Sequence, residues 1–147
     1  MHHHFPAVNY LAVLIAAIVI FVLGGLWYSP MLFAKRWIAL QGRTEEQMRA
    51  DAAAANMPLL YISAFICSLI IAYMMAHFLG HMTGTGMMEP NAGLGALFGF
   101  GAWLGFAAPT SYATAIFSGT PKQKWLIDSG YNLVSFVLAG AIVGAWR

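Results

Sequence analysis

The sequence predicts an all-α membrane protein: four transmembrane helices in a compact bundle, with a short cytoplasmic or interfacial helix between the first and second. Two observations carry this. Residues 1–34, 52–88, 90–121 and 129–146 contain no Asp, Glu, Lys or Arg. A helix needs about 20 consecutive, mostly apolar residues to cross a bilayer core, and a charge placed mid-span costs about 2.5–3.5 kcal/mol on insertion scales. Composition agrees, with 61% hydrophobic and 8% charged residues against about 25% charged in soluble domains. A water-soluble monomer of this make-up would expose too much apolar area.

The expected spans are 8–29, 58–80, 92–117 and 125–146, and the whole of 1–147 forms one transmembrane domain. The spans leave no room for a separate soluble catalytic domain. The first apolar run, Val8 to Trp27, exceeds the about 7–15 residues of a signal-peptide core and lacks a basic start. It ends in Trp27, Tyr28, Ser29 and Pro30 rather than in small cleavable residues, so it is expected to stay as a helix.

The following connection is expected to be partly helical. Thr44 and Gln47 have capping-box spacing, Glu45 and Glu46 suit a helix N-terminus, and an alanine-rich segment runs on to Ala55. Ahead of it, Met31, Leu32, Phe33, Trp37, Ile38 and Leu40 mix with Lys35 and Arg36, as in a segment lying in the membrane interface. A face that docks a partner is the alternative.

Lipid tails are as apolar as leucine, so helices in a bilayer associate where small residues let backbones approach. In the second span Ala64, Ser68, Ala72, Ala76 and Gly80 recur every four residues. The third has Gly95 with Gly99 on one face and Gly101 with Gly105 on another, and the fourth has Gly140 with Gly144. Helix three is thus expected to touch two neighbours. The same pattern suits a homo-oligomer or docking to other membrane-protein subunits, with membrane lipids as the remaining partner.

Orientation follows from the basic residues. Lys35, Arg36, Arg43 and Arg49 in the first connection and Lys122 and Lys124 in the third share one side, while the other carries only Arg147. The basic side normally stays cytoplasmic, so both termini are expected to be non-cytoplasmic in a multi-pass inner-membrane protein. Trp27, Tyr28, Trp125 and Trp146 fall at span ends, as interfacial aromatics do.

The polar residues suggest one candidate cavity on the cytoplasmic side. Pro109 removes a helical hydrogen bond to the Gly105 carbonyl, and Thr110, Ser111, Tyr112 and Thr114 bring hydroxyls to that break. Asp128, Asn132 and Ser135 share a face of the fourth helix. Lys124, four residues before Asp128, offers it an ion pair, and structural anchoring is the favoured role for Asp128. A second candidate lies on the outer face. His77 and His81 have helical spacing, and Met74, Met75, Met82, Met87, Met88 and Glu89, with His2, His3 and His4, could surround a soft metal. Packing and interfacial roles are favoured for these residues, so no cofactor is expected.

Other chemistry finds little support. Cys67 is alone, which rules out an intrachain disulfide. The net charge of +2 comes without a basic cluster, so no nucleic acid is expected. Topology separates His77 and His81 from Asp128 and Ser111, no phosphate or dinucleotide loop appears, and the chain is not expected to be an enzyme.

The runs Asn9–Val13, Gly25–Pro30 with Leu32 and Phe33, and Trp125–Ser135 resemble the opening and closing helices of the small bacterial membrane-protein family called domain of unknown function 1761. The resemblance covers nearly the whole chain and implies a four-helix integral membrane protein, with no established activity and no catalytic residues to carry over. The leading functional expectation is a small oligomeric transporter or channel-like protein using the cytoplasmic-side polar cavity. The alternative is a non-catalytic accessory or scaffold subunit, and outer-face metal binding comes third.

Overall fold

The computed structural model describes residues 7–84 and 88–146. In chain order the helices are α1 (Tyr10–Trp27), α2 (Ala34–Ala39), α3 (Glu45–Ala54), α4 (Met57–Thr83), α5 (Ala92–Ala102), α6 (Ala108–Phe117) and α7 (Lys122–Ala145). A π-helical turn, Trp103–Ala107, joins α5 to α6, so these three segments form one continuous span, Ala92–Phe117. With α1, α4 and α7 that makes four helices long and apolar enough to cross a membrane. No strand occurs among the described residues.

Local chemistry sets the helix ends. Asn9 opens α1 by accepting the backbone N–H groups of Leu11 and Ala12 at 3.0 and 3.1 Å. Asn56 and Asn91 cap α4 and α5 in the same way, each satisfying a donor that the first helical turn leaves unpaired. The capping box expected at Thr44 and Gln47 is present at the start of α3, a helix that buries no residue. After α6 the chain turns at Gly119, whose φ of +69° lies in the left-handed region. Thr120 N–H then reaches back to the Ala115 carbonyl at 2.9 Å, which closes the helix as a Schellman motif. Lys122 and Lys124, expected in the third connection, stand instead in the first turn of α7, because Pro121 accommodates a helix start directly after it.

Pro109 acts on the third span one turn earlier than its own position. It has no N–H to give the Gly105 carbonyl, and the chain widens just before it, with Ala108 N–H bonding to Trp103 five residues back.

Packing centres on α7, which contacts α1, α4, α5 and α6. Its closest neighbour is α5. A Cβ added at Gly95 would stand 1.9 Å from the Gly140 carbonyl oxygen, one at Gly99 2.1 Å from that of Phe136, and one at Gly140 2.0 Å from that of Gly95. At Gly144 it would meet the Asn91 carbonyl at 2.5 Å. Backbone therefore lies on backbone, and only glycine fits.

On the other side of α7, Val13, Ala16, Ala17 and Ile20 of α1 form a core with Ala72, Met75, Ala76 and Leu79 of α4 and Ala139 and Val143 of α7. The small-residue stripe of α4 is buried at Ser68, Ala72, Ala76 and Gly80, whereas Ala64 is exposed. Gly101 and Gly105 depart from expectation, since nothing lies within 4 Å of a Cβ built on either. Helix three meets α7 extensively and α4 only marginally, so its second small face has no neighbour among the described residues.

The two glycine pairs of the third span should therefore respond oppositely to leucine. Gly95→Leu is expected to cost about 1–3 kcal/mol in thermal or denaturant unfolding in detergent, while Gly101→Leu stays within about 0.5 kcal/mol of the parent. Equal losses at both sites would contradict the packing.

Candidate functional site

At the end of the bundle where α1 finishes and α7 begins, three elements meet around Asp128. Tyr28, just past α1, donates its hydroxyl to Asp128 Oδ1 at 2.7 Å. Trp37 of α2 donates its indole N–H to the same oxygen at 2.9 Å. Lys124, one turn earlier on α7, pairs with Oδ2 at 3.0 Å, and its ammonium stands 5.2 Å from the centre of the Trp37 ring. Both carboxylate oxygens are thus engaged, which offsets the cost of partly burying an acidic group.

The surrounding contacts repeat the theme. Trp27 donates its indole N–H to the Ile127 carbonyl at 3.0 Å and lays its ring on Gly130, where an added Cβ would come within 3.2 Å of it. Tyr131 reciprocates by reaching the Ile20 carbonyl at 3.2 Å and covering Gly24, where an added Cβ would stand 3.0 Å from its hydroxyl oxygen. Trp103, in the π-helical turn, donates to the Ser129 carbonyl at 3.1 Å. Each indole spans two elements and pays for its burial with a bond across the interface.

These contacts also decide how the first connection is used. Arg36 of α2 bonds to Gln123 of α7, so the first and third connections lie at one end of the bundle, as the charge pattern requires. The segment expected to lie in the interface docks on α7 through Arg36 and Trp37, while Met31, Leu32 and Ile38 remain exposed. Tyr28 and Trp37 are the Asp128 partners that sequence reasoning missed. Their signal was present, because a carboxylate beside a span needs donors and both residues fall at its end of the chain's topology.

The residues of the expected polar cavity stand in different local settings. Ser111 accepts the Trp125 indole N–H at 3.1 Å and donates to the Ala108 carbonyl at 3.1 Å. Tyr112 packs edge-on against Trp125 at 4.9 Å, and Thr114 bonds to the Thr110 carbonyl at 3.1 Å on an exposed face. Ser135 is buried one turn before the core residue Ala139, and Asn132 is half-buried. A pocket of 320 Å³ at this end is lined by Tyr112, Lys122, Trp125 and Leu126, and Asp128, Asn132 and Ser135 take no part in it.

A larger space lies on the flank, where α4 and α5 diverge. It is a groove of 640 Å³ with an apolar lining that includes Met74, Met75, Met82, Met88, Phe98 and Phe106, and its floor reaches Phe136 of α7. Gly101 lies on its wall, whereas Gly105 stands outside it. At the far end of α4, His77 and His81 approach with Nε2 atoms 3.2 Å apart. Among the described residues no three His, Cys, Asp or Glu side chains converge as a metal site, and His2, His3, His4 and Met87 lie outside those residues.

If the Asp128 cluster clamps α1, α2 and α7 together, its members should be energetically coupled. Asp128→Ala is expected to cost about 1–3 kcal/mol and Tyr28→Phe about 1 kcal/mol. The double variant should fall short of their sum by more than about 0.5 kcal/mol. Strict additivity in unfolding measurements would show that the two groups do not act as a unit.

No curated protein and no solved structure matches the chain. A family model does, over residues 11–144, a stretch that contains every residue of the Asp128 clamp and both walls of the groove. The chain belongs to the family described as protein of unknown function (DUF1761).

Proposed function

We propose that this chain is a non-catalytic membrane module that holds a hydrocarbon chain, the acyl tail of a bilayer lipid or a comparable apolar ligand, in the groove between α4 and the third span. The observation that carries the reading is the groove itself, 640 Å³ of apolar space beside the close α5–α7 contact. Its α4 wall runs from Ile70 to Met82, about 18 Å at the helical rise. A groove of that length and apolar lining accommodates a flexible hydrocarbon chain laid along it. Four methionines on the wall supply adaptable, polarisable contacts of the kind found at sites that accept varied apolar ligands.

The polar side chains support the same reading by what they are already doing. Asp128, Ser111 and Tyr131 are committed to bonds between or within helices, which supports a structural role for them. A second reading, assembly with another copy or another membrane subunit, is favoured by the open face at Gly101 and Gly105. Small residues spaced four apart on a bilayer-facing helix suit close helix approach.

Native mass spectrometry of the chain extracted with its lipids separates the two. Acyl-chain binding predicts lipid adducts that fall several-fold in Gly101→Leu, which fills the groove, and persist in Gly105→Leu. Assembly predicts an oligomer that Gly105→Leu disrupts. Unchanged adducts in Gly101→Leu would remove the lipid reading.

We also place both termini on the non-cytoplasmic face, on the strength of the basic residues gathered at the Asp128 end. Alkaline phosphatase fused after Trp146 should be active, and the same enzyme inserted after Thr120 inactive. The opposite pattern would invert the topology.

A further inference from the structure

The geometry points to a divalent transition-metal site formed by His77 and His81, at the end of α4 remote from the Asp128 cluster. The two histidines are four residues apart in the last turns of the helix, so their side chains rise from one face. Their Nε2 atoms are 3.2 Å apart. A tetrahedral ion with metal–nitrogen bonds of about 2.0–2.1 Å sets two imidazole nitrogens about 3.3 Å apart. The pair is therefore spaced as one edge of such a coordination sphere.

The surroundings favour a cation. Tyr73 stacks nearly parallel to His77, with ring centres 6.0 Å apart and 16° between planes, and Phe78 meets the same ring edge-on at 6.2 Å. These contacts restrict the half-buried His77, while His81 is exposed and open to an incoming ion. The site also sits in the last turns of a 27-residue helix, where the unpaired carbonyl groups at the C-terminal end carry partial negative charge.

Without metal, one Nε2–H donates to the other Nε2. To bind an ion through both Nε2 atoms, the donor ring moves its proton to Nδ1. Imidazole suits Zn²⁺, Ni²⁺ and Cu²⁺, and two protein ligands leave the remaining coordination positions to water. Neither histidine lines the apolar groove, so this site stands independently of the acyl-chain reading.

The test is calorimetric titration of the full chain in detergent with Zn²⁺, repeated with Ni²⁺. His2, His3 and His4 are first replaced by alanine so that only the α4 pair is read. Saturable uptake of one ion per chain is expected. His77→Ala and His81→Ala should each weaken it by more than about tenfold, with helical circular dichroism unchanged. Because His81 is exposed, His81→Gln gives a second variant that preserves size and polarity, and it should lose binding equally. Absence of saturable binding would overturn the site, as would binding that survives both His81 substitutions.

Discussion

The contact on which this bundle depends is the one between the backbones of α5 and α7. Gly95, Gly99, Gly140 and Gly144 allow an approach in which any side chain would meet a carbonyl oxygen of the facing helix. In a bilayer such closeness is the main source of specific attraction, because burying an apolar side chain against a helix gains little over burying it against lipid. The contact has a geometric cost elsewhere. Drawing α5 down onto α7 leaves it only marginal contact with α4, and the apolar groove is the space left between them. The feature proposed to bind a ligand is in this sense a product of the tightest packing in the molecule.

At the other extreme of the chemistry, the charged and aromatic groups near Asp128 act as a clamp. One carboxylate gathers a phenol, an indole and an ammonium from the end of α1, from α2 and from α7. Charge-assisted bonds of this kind are stronger than neutral ones. The clamp also explains why α2 is not simply adsorbed to the interface, since Trp37 and Arg36 tie it to α7 while its apolar exposed residues remain free to face lipid. Trp27 on Gly130 and Tyr131 on Gly24 add a reciprocal fit of large on small.

Much of the architecture was legible before any coordinates. The third span ends as expected, the other three differ by one to three residues at each end, and the Thr44–Gln47 capping box stands where its spacing put it. Such features depend on local rules: a run of apolar residues, an oxygen within reach of a backbone N–H, a proline that lacks one. The Lys124–Asp128 pair belongs to the same class, because one helical turn separates its members. The polar cavity was different. It required Ser111 and Tyr112 on one helix to face Asp128, Asn132 and Ser135 on another, and helical periodicity says nothing about how two helices are rotated against each other. Trp125 took Ser111, while Tyr28 and Trp37 took Asp128.

The glycines of the third span draw the dividing line most clearly. By itself the sequence determined that this is a membrane protein of four spans, with its basic residues gathered at one end and two small-residue faces on helix three, because hydropathy, charge and periodicity are properties of a single chain segment. Only the tertiary structure decided that Gly95 and Gly99 meet α7 while Gly101 and Gly105 meet nothing among the described residues. The two pairs have the same spacing and the same residue type. What separates them is the position of a facing backbone, which is set by all four helices together.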